Sequence, residues 1–264
     1  EIYTLSLHDA LPIWFSAVNE VIESGMLAQG PKVAELEKNW AEYCGVKHAL
    51  AVNSGTAAIH CALYAAGVKE GDEVITTPYS FIATINPILM LGARPVLVDI
   101  DEETFNIDVS KIEAAITEKT KAIVPVDLYG QPCDWAELQE IAKKHNLKIV
   151  EDACQAVGAE YKGIKAGALG DFGCFSLYAT KNIMCGEGGV VTTNSDEAAA
   201  AIRSFRQHGM VAPYEYADLG YNYRMSDLHG AIAVEQLKKV EEFTKKRQEN
   251  ARKLNAEPDR KSVV

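Results

Sequence analysis

Phe175-Ser176-Leu177-Tyr178-Ala179-Thr180-Lys181-Asn182 brings a single lysine out of an apolar run, and the glycine-rich turn Gly186-Glu187-Gly188-Gly189 follows at once. The run before the lysine reads as a buried strand. A lysine at the mouth of such a strand loses part of its hydration. Desolvation lowers the pKa of an ammonium group and makes the neutral amine available as nucleophile and base. A lysine that forms a Schiff base needs that property. The plain alternative is a solvated surface lysine, and the rest of the chain decides between the two.

Outward from this stretch, strands and helices alternate. Ala49–Val52, Glu73–Thr77, Arg94–Ile100, Ala122–Val126, Lys148–Val150 and Val190–Thr193 read as strands. Helices are expected over residues 16–27, from Val33 to Gly45, up to Gly67, and over 80–91, 110–116, 135–145 and 198–207. A further long helix is expected from Ser226 towards Asn255. The alternation from residue 49 to 208 predicts an α/β fold, a mainly parallel sheet with helices on its faces. Ligands of such sheets sit at the carboxyl ends of the strands. Ser54, Phe81, Asp152 and Gln155 fall at or just beyond those ends, and Lys181 lies beyond its own strand.

The 264 residues are 48% hydrophobic and 24% charged, which allows a sizeable core. A net charge of -11 argues against a nucleic-acid surface and against anionic membranes. The six cysteines show no CxxC pair, and the histidines no paired ligand spacing, so no metal site is expected. Free cysteines in apolar segments fit a reduced cytoplasm. No stretch is long and apolar enough to span a bilayer, and no basic region precedes an apolar core as in a secretory signal.

Four features point to one ligand. Ser54-Gly55-Thr56 sits where a strand feeds a helix, so free N–H groups and the dipole favour an anion there, although plain helix capping explains the same residues. Ser176 adds a hydroxyl. Asp152 ends a buried strand, where a carboxylate needs a partner, and Gln155 follows three residues on. Phe81 offers a flat apolar face, or simple core packing. An aldehyde-bearing pyridine phosphate needs an amine, an acid for its ring nitrogen, a phosphate cradle and a stacking surface.

In its motifs the chain resembles the DegT/DnrJ/StrS-type sugar aminotransferases, which depend on pyridoxal phosphate. The matching text is Gly30-Pro31, Ser54–Ala58, Gly71–Thr76, Glu151–Ala156, Phe175-Ser176 with Thr180–Asn182, Gly186–Gly189 and Gly220–Met225, in order across about residues 14–255. The resemblance implies an aspartate-aminotransferase-like, three-layer α/β/α fold (fold type I of the pyridoxal-phosphate enzymes). It implies pyridoxal 5'-phosphate attached to Lys181, with Asp152 on the pyridine nitrogen and Gln155 on the ring hydroxyl side. Phe81 would stack on the ring, and Ser54, Gly55, Thr56 and Ser176 would hold the phosphate. Asn222 would reach the phosphate of a neighbouring subunit, which implies a homodimer with shared sites. The implied reaction moves an amino group from an amino acid, usually glutamate, to a nucleotide-linked keto-sugar, with surface polysaccharide as the commonest setting. Relatives with histidine at the lysine position dehydrate sugars instead; this chain has Lys181.

The expected organisation is a large domain over residues 14–240, with residues 241–258 starting a helix towards a small carboxyl-terminal domain that the chain lacks. Residues 1–13 and 259–264 read as non-native leader and tail, similar to translated adapter sequence. A Rossmann oxidoreductase is disfavoured, because GxGxxG does not follow the first strand. A non-catalytic cofactor-binding relative and an inactive truncated chain compete with the aminotransferase reading.

Overall fold

The computed structural model describes residues 11–256. The leader and tail read from the sequence lie outside the described residues, apart from residues 11–13, which open helix α1 (Leu11–Ser24). Helix α2 (Pro31–Cys44) has proline in its first turn and ends at Gly45, whose φ of 71° is the left-handed conformation that glycine adopts freely. Strand β1 (His48–Val52) feeds α3 (Gly55–Ala65). Then follow β2 (Glu73–Thr76), α4 (Asn86–Met90), β3 (Arg94–Leu97), α5 (Ile112–Ala115), β4 (Thr120–Ile123), α6 (Trp135–His145) and β5 (Lys148–Asp152). A small ribbon, β6 (Glu160–Tyr161) and β7 (Ile164–Lys165), precedes β8 (Phe172–Ser176) and β9 (Gly189–Thr193). The chain continues through α7 (Asp196–Phe205), a hairpin of β10 (Met210–Ala212) and β11 (Glu215–Tyr216), α8 (Asp227–Leu237) and α9 (Val240–Ala256).

Seven strands form one sheet in the order β1-β9-β8-β5-β4-β2-β3. All pairings are parallel except those of β9, which runs against both β1 and β8. Side chains alternate across the sheet. Leu50, Val52, Val74, Val150, Cys174 and Val191 bury against α3, α4 and α7. Ala49, Ala51, Phe175 and Val190 bury on the other face with α2 and α8, and Ile75, Ile123 and Ile149 bury there with α6. This is the expected three-layer arrangement, and it sends the ends of β1, β2, β5 and β8 to one rim.

Two expected helices take a different form. Residues 80–91 are not one helix: Ile82–Thr84 make a single 3-10 turn and α4 starts afresh, with Pro87 in its first turn where the missing N–H costs nothing. The long helix expected from Ser226 is broken after Leu237. The buried face of α8 (Ala231, Ala233, Val234, Leu237) continues only through Val240 before the chain turns outward and becomes exposed.

Asp227 joins the two ends of the described chain. It is buried, and its carboxylate accepts the N–H groups of Gly30 at 2.8 Å, Lys32 at 3.0 Å and Val33 at 2.9 Å. It thereby caps α2 from 197 residues away. A methyl group at Gly30 would lie 2.8 Å from the same carboxylate, so glycine there is a condition of the contact. Asp227→Ala strands three donors and should lower the unfolding free energy by about 2–4 kcal/mol, read by urea denaturation. A change below the error of that measurement would mean that water replaces the carboxylate.

His60 of α3 is buried in a ring of aromatic groups from Phe205, Tyr221 and Tyr223, with Nδ1 3.0 Å from the Tyr223 hydroxyl. Burial pushes its pKa down to about 4. The folded state therefore holds the ring neutral, and this stabilisation is complete above the unfolded value of about 6.5. It is lost as pH falls from there towards 4, by up to about 3 kcal/mol. Comparing stability against pH in the wild type and in His60→Gln checks this: the glutamine chain should lack that component of the slope.

Candidate active site

The rim encloses a cavity of about 780 Å3. Eight of the nine residues singled out in the sequence line it: Ser54, Gly55, Thr56, Phe81, Asp152, Gln155, Ser176 and Lys181. They come from the ends of β1, β5 and β8 and from the segment after β2, as the sheet topology requires.

Asp152 closes β5 and is buried. Its Oδ2 accepts the Thr84 hydroxyl at 2.7 Å, and its Oδ1 accepts the Cys154 N–H at 3.2 Å. Thr84 is in turn 3.0 Å from the Ser80 hydroxyl. The carboxylate is thus held in one orientation by its neighbours. Lys181 does not follow β8 directly. Leu177 stays buried, Tyr178–Thr180 make an exposed turn, and the Lys181 N–H closes it on the Tyr178 carbonyl at 2.9 Å. The side chain is half-buried and lines the cavity.

Ser54 does cap its helix, accepting the Ala57 N–H at 3.1 Å. Capping and cavity lining coexist, because the leading N–H groups of Gly55 and Thr56 remain without intrahelical partners at the cavity. Close packing fixes that end of α3. A methyl group at Gly55 would lie 2.7 Å from Ser176 Cβ, and one at Gly189 would lie 2.3 Å from the Ser54 carbonyl oxygen. The glycines of 186–189 are therefore partly a packing requirement: Gly188 meets Cys185 and Met225 in the same way.

Phe81 is not a core residue. It is 68% exposed and stands at the mouth of the cavity. Asn222 lies apart from the other eight. It is exposed, pairs with Gln207, and its carbonyl accepts the Asn53 side-chain amide at 3.2 Å.

The structure adds residues that the sequence reading missed. Tyr129, read only as part of a turn, has left-handed backbone (φ 58°) and projects into the cavity, its hydroxyl 3.2 Å from that of Tyr79. That hydrogen bond holds the Tyr129 phenol protonated. An aromatic residue ahead of glycine just past the end of a strand was the available signal. Thr84, Tyr178, Cys154 and Glu187 also line the cavity. Burial, with the nearby Asp152 charge, pushes the Cys154 thiol well up, so it is no thiolate nucleophile. A larger cavity, about 1040 Å3, opens at the opposite ends of the strands beside Lys148 and Asp171 and contains none of the candidate residues. Among the described residues no cluster could hold a metal ion, and no helix is long and apolar enough to cross a membrane.

A mainly parallel three-layer sheet carrying a lysine, a buried carboxylate and a helix amino terminus on one rim has the architecture of fold type I aminotransferases. The chain belongs to the DegT/DnrJ/EryC1/StrS aminotransferase family, whose model matches residues 14–258. Among curated relatives, GDP-perosamine synthase of Caulobacter vibrioides is 50% identical over 215 residues, covering 81% of this chain and 58% of that protein. The spore coat polysaccharide biosynthesis protein SpsC of Bacillus subtilis is 46% identical over 246 residues, 89% of this chain and 63% of that one. Among solved structures, S. venezuelae DesV superposes with a TM-score of 0.92 at 36% identity, covering 95% of this chain and 68% of DesV. NtdA of Bacillus subtilis, solved with bound cofactor PMP, gives 0.84 at 36% identity, covering 88% of this chain and 54% of NtdA. The chain spans 58–66% of the length of these and similar curated relatives.

Proposed function

We propose that the protein transfers an amino group from an amino acid, with glutamate as donor, to a nucleotide-linked keto-sugar, using pyridoxal 5'-phosphate. The carrying observation is the convergence of Lys181, Asp152, Phe81 and the Ser54-Gly55-Thr56 helix end on one cavity. Those residues fit the cofactor. The cavity has an amine, an oriented carboxylate, an exposed ring, and hydroxyl and N–H donors for a phosphate. Lys181 would be its attachment point. Asp152 and Gln155 would hold the ring, Phe81 would cover it, and Ser54, Gly55, Thr56 and Ser176 would take the phosphate. When bound, the cofactor supplies an electron sink for removing the proton from the amine-bearing carbon.

The chain's own residues do the rest. Lys181 takes the proton from the donor's α-carbon and returns it to the other side of the exchanging C–N unit, a role worth ~10²–10⁴-fold. The Asp152 carboxylate, oriented by Thr84 and the Cys154 N–H, keeps a ring N–H proton in place. Phe81 and Tyr129 at the mouth limit water in the cavity. The sugar-nucleotide and polysaccharide roles named for the relatives support the substrate class and a surface-polysaccharide setting in the cytoplasm. Asn222, exposed beside a hairpin with Tyr214 89% exposed and Tyr216 60% exposed, supports a homodimer in which it serves the partner's site.

The test is an absorbance spectrum with pyridoxal phosphate before and after borohydride, then peptide mapping. A yellow imine band fixed on Lys181 supports the reading, and label on another lysine overturns it. Loss of the band on adding glutamate separates an aminotransferase from a non-catalytic relative.

A further inference from the structure

Two carboxyl groups that amino transfer does not use lie directly behind the cavity. Glu151 precedes Asp152 on β5 and so faces the opposite side of the sheet. Asp127 follows β4, and its N–H donates to the Asp152 carbonyl at 3.1 Å. Both side chains are fully buried. Glu151 accepts the N–H groups of Gly167 at 2.7 Å and Leu169 at 3.3 Å. Asp127 Oδ1 accepts the Cys133 N–H at 2.9 Å and the Trp135 indole N–H at 3.2 Å. Asp127 Oδ2 is buried with no N–H or hydroxyl partner among the described residues, and because Val126 pairs with Asp152, Asp127 and Glu151 lie on the same side of neighbouring strand ends. No cation pairs with either carboxyl among the described residues. Two ionised carboxylates cannot hydrogen-bond to each other, because neither has a donor.

We infer that Glu151 and Asp127 share one proton, carried by Glu151 and donated to Asp127 Oδ2, and that this pair positions two walls of the cavity. One wall is the end of β5 with Asp152. The other is the 127–131 turn, which Asp127 anchors through its side chain and through its carbonyl, the acceptor of the Gly130 N–H at 3.2 Å. That turn carries Tyr129 in its strained left-handed conformation. Burial raises both carboxyls, Asp127 to about 6 and Glu151 well above its ordinary value; the Asp127 charge adds to the rise of Glu151, while the hydrogen bond from Glu151 offsets part of the rise of Asp127. The titratable groups facing the pair are Cys133 beside Asp127 and Cys44 beside Glu151, with Cys174 across the sheet, all held as neutral thiols by burial.

The sign follows. Unfolded aspartate and glutamate ionise near pH 4. Above that, folding takes up one proton, so this contribution to stability falls as pH rises, about tenfold in the folding constant per pH unit until the pair ionises. Glu151→Gln offers an N–H to the same oxygen without titrating, and Asp127→Asn offers one to Glu151.

The test is urea unfolding of the 264-residue chain between about pH 5 and pH 8, with infrared spectra at neutral pH. Relative to both variants, the wild type should show the extra one-proton slope and a protonated-carboxyl C=O band. Hydrogen exchange in residues 127–135 and 166–169 should stay slow in Glu151→Gln and quicken at least tenfold in Glu151→Leu. A slope and band unchanged in both conservative variants overturn the shared proton. Equal exchange in Glu151→Gln and Glu151→Leu overturns the positioning role, and if the leucine chain does not fold while the glutamine chain does, the bond is shown to be required. None of these readouts needs bound cofactor, so their failure is separate from failure of the amino-transfer reading.

Discussion

Lys181→Ala is expected to abolish amino transfer, at least ~10⁴-fold, and to leave the fold intact. The size of the effect follows from two roles on one side chain. Without the amine there is no covalent attachment for the cofactor, and no group in the cavity can move the proton from the donor's α-carbon. The other ionisable side chains that line the cavity are the acids Asp152 and Glu187, the Cys154 thiol and the phenols of Tyr129 and Tyr178. None is an amine. The fold should survive because the Lys181 contact within the turn is made by its backbone N–H, at 2.9 Å, and the half-buried side chain supports no core cluster. Unfolding free energy should therefore stay within about 0.5 kcal/mol of the wild type. Single-turnover assays with glutamate and a urea titration measure the two halves. Normal turnover in the alanine chain would end the assignment.

Asp152 carries the second-largest effect. Asp152→Asn keeps the shape and can still accept the Thr84 hydroxyl, but it removes the charge that, on the proposed reading, would hold a proton on the ring nitrogen. Losing one partner of a desolvated charge pair costs about 3–5 kcal/mol, or roughly 10²–10⁴-fold in amino transfer. Stability should fall by less than in the alanine variant, because only the Cys154 N–H then loses its acceptor. Asp152→Ala should lose as much activity and also about 1–3 kcal/mol of stability, since the Thr84 hydroxyl and the Cys154 N–H are left buried without an acceptor. The split between the two variants separates the electrostatic role from the structural one. Equal activity in the Asp152→Asn and wild-type chains, measured with glutamate alone, would remove Asp152 from the chemistry.

The layered fold was legible because parallel strands buried on both faces must be written in apolar residues. Ile123-Val124 and Ile149-Val150 are such runs, and turn residues separate them from helices of the right length. The site was legible to the same extent, since each strand end delivers its residue to one rim. Contacts between distant segments were not legible. Nothing in the text around Asp127 says that it will meet Glu151, because they share neighbouring strand ends rather than sequence. Asp227 looks like an ordinary first-turn acid of α8, and its three N–H partners lie near residue 30. Residues 80–91 read as one helix because a proline in a first turn and a proline inside a helix look alike until the 3-10 turn before Pro87 is seen. Tyr129 was missed because its importance lies in a backbone conformation that side-chain periodicity does not encode.

The antiparallel strand β9 has a consequence for the order of assembly during synthesis. Strand β1 sits at the sheet's edge with β9 as its neighbour, so His48 waits for Thr193, about 145 residues further along the chain. At ~5–20 residues per second on the ribosome, that is a delay of roughly 7–30 s. Throughout it, β1 and the amino-terminal end of α3 that follows it lack their sheet neighbour, while β2, β3, β4 and β5 can already pair among themselves. The nascent chain therefore acquires the half of the rim that ends in Asp152 first, and the half that holds Ser54 only after the Lys181 turn has emerged.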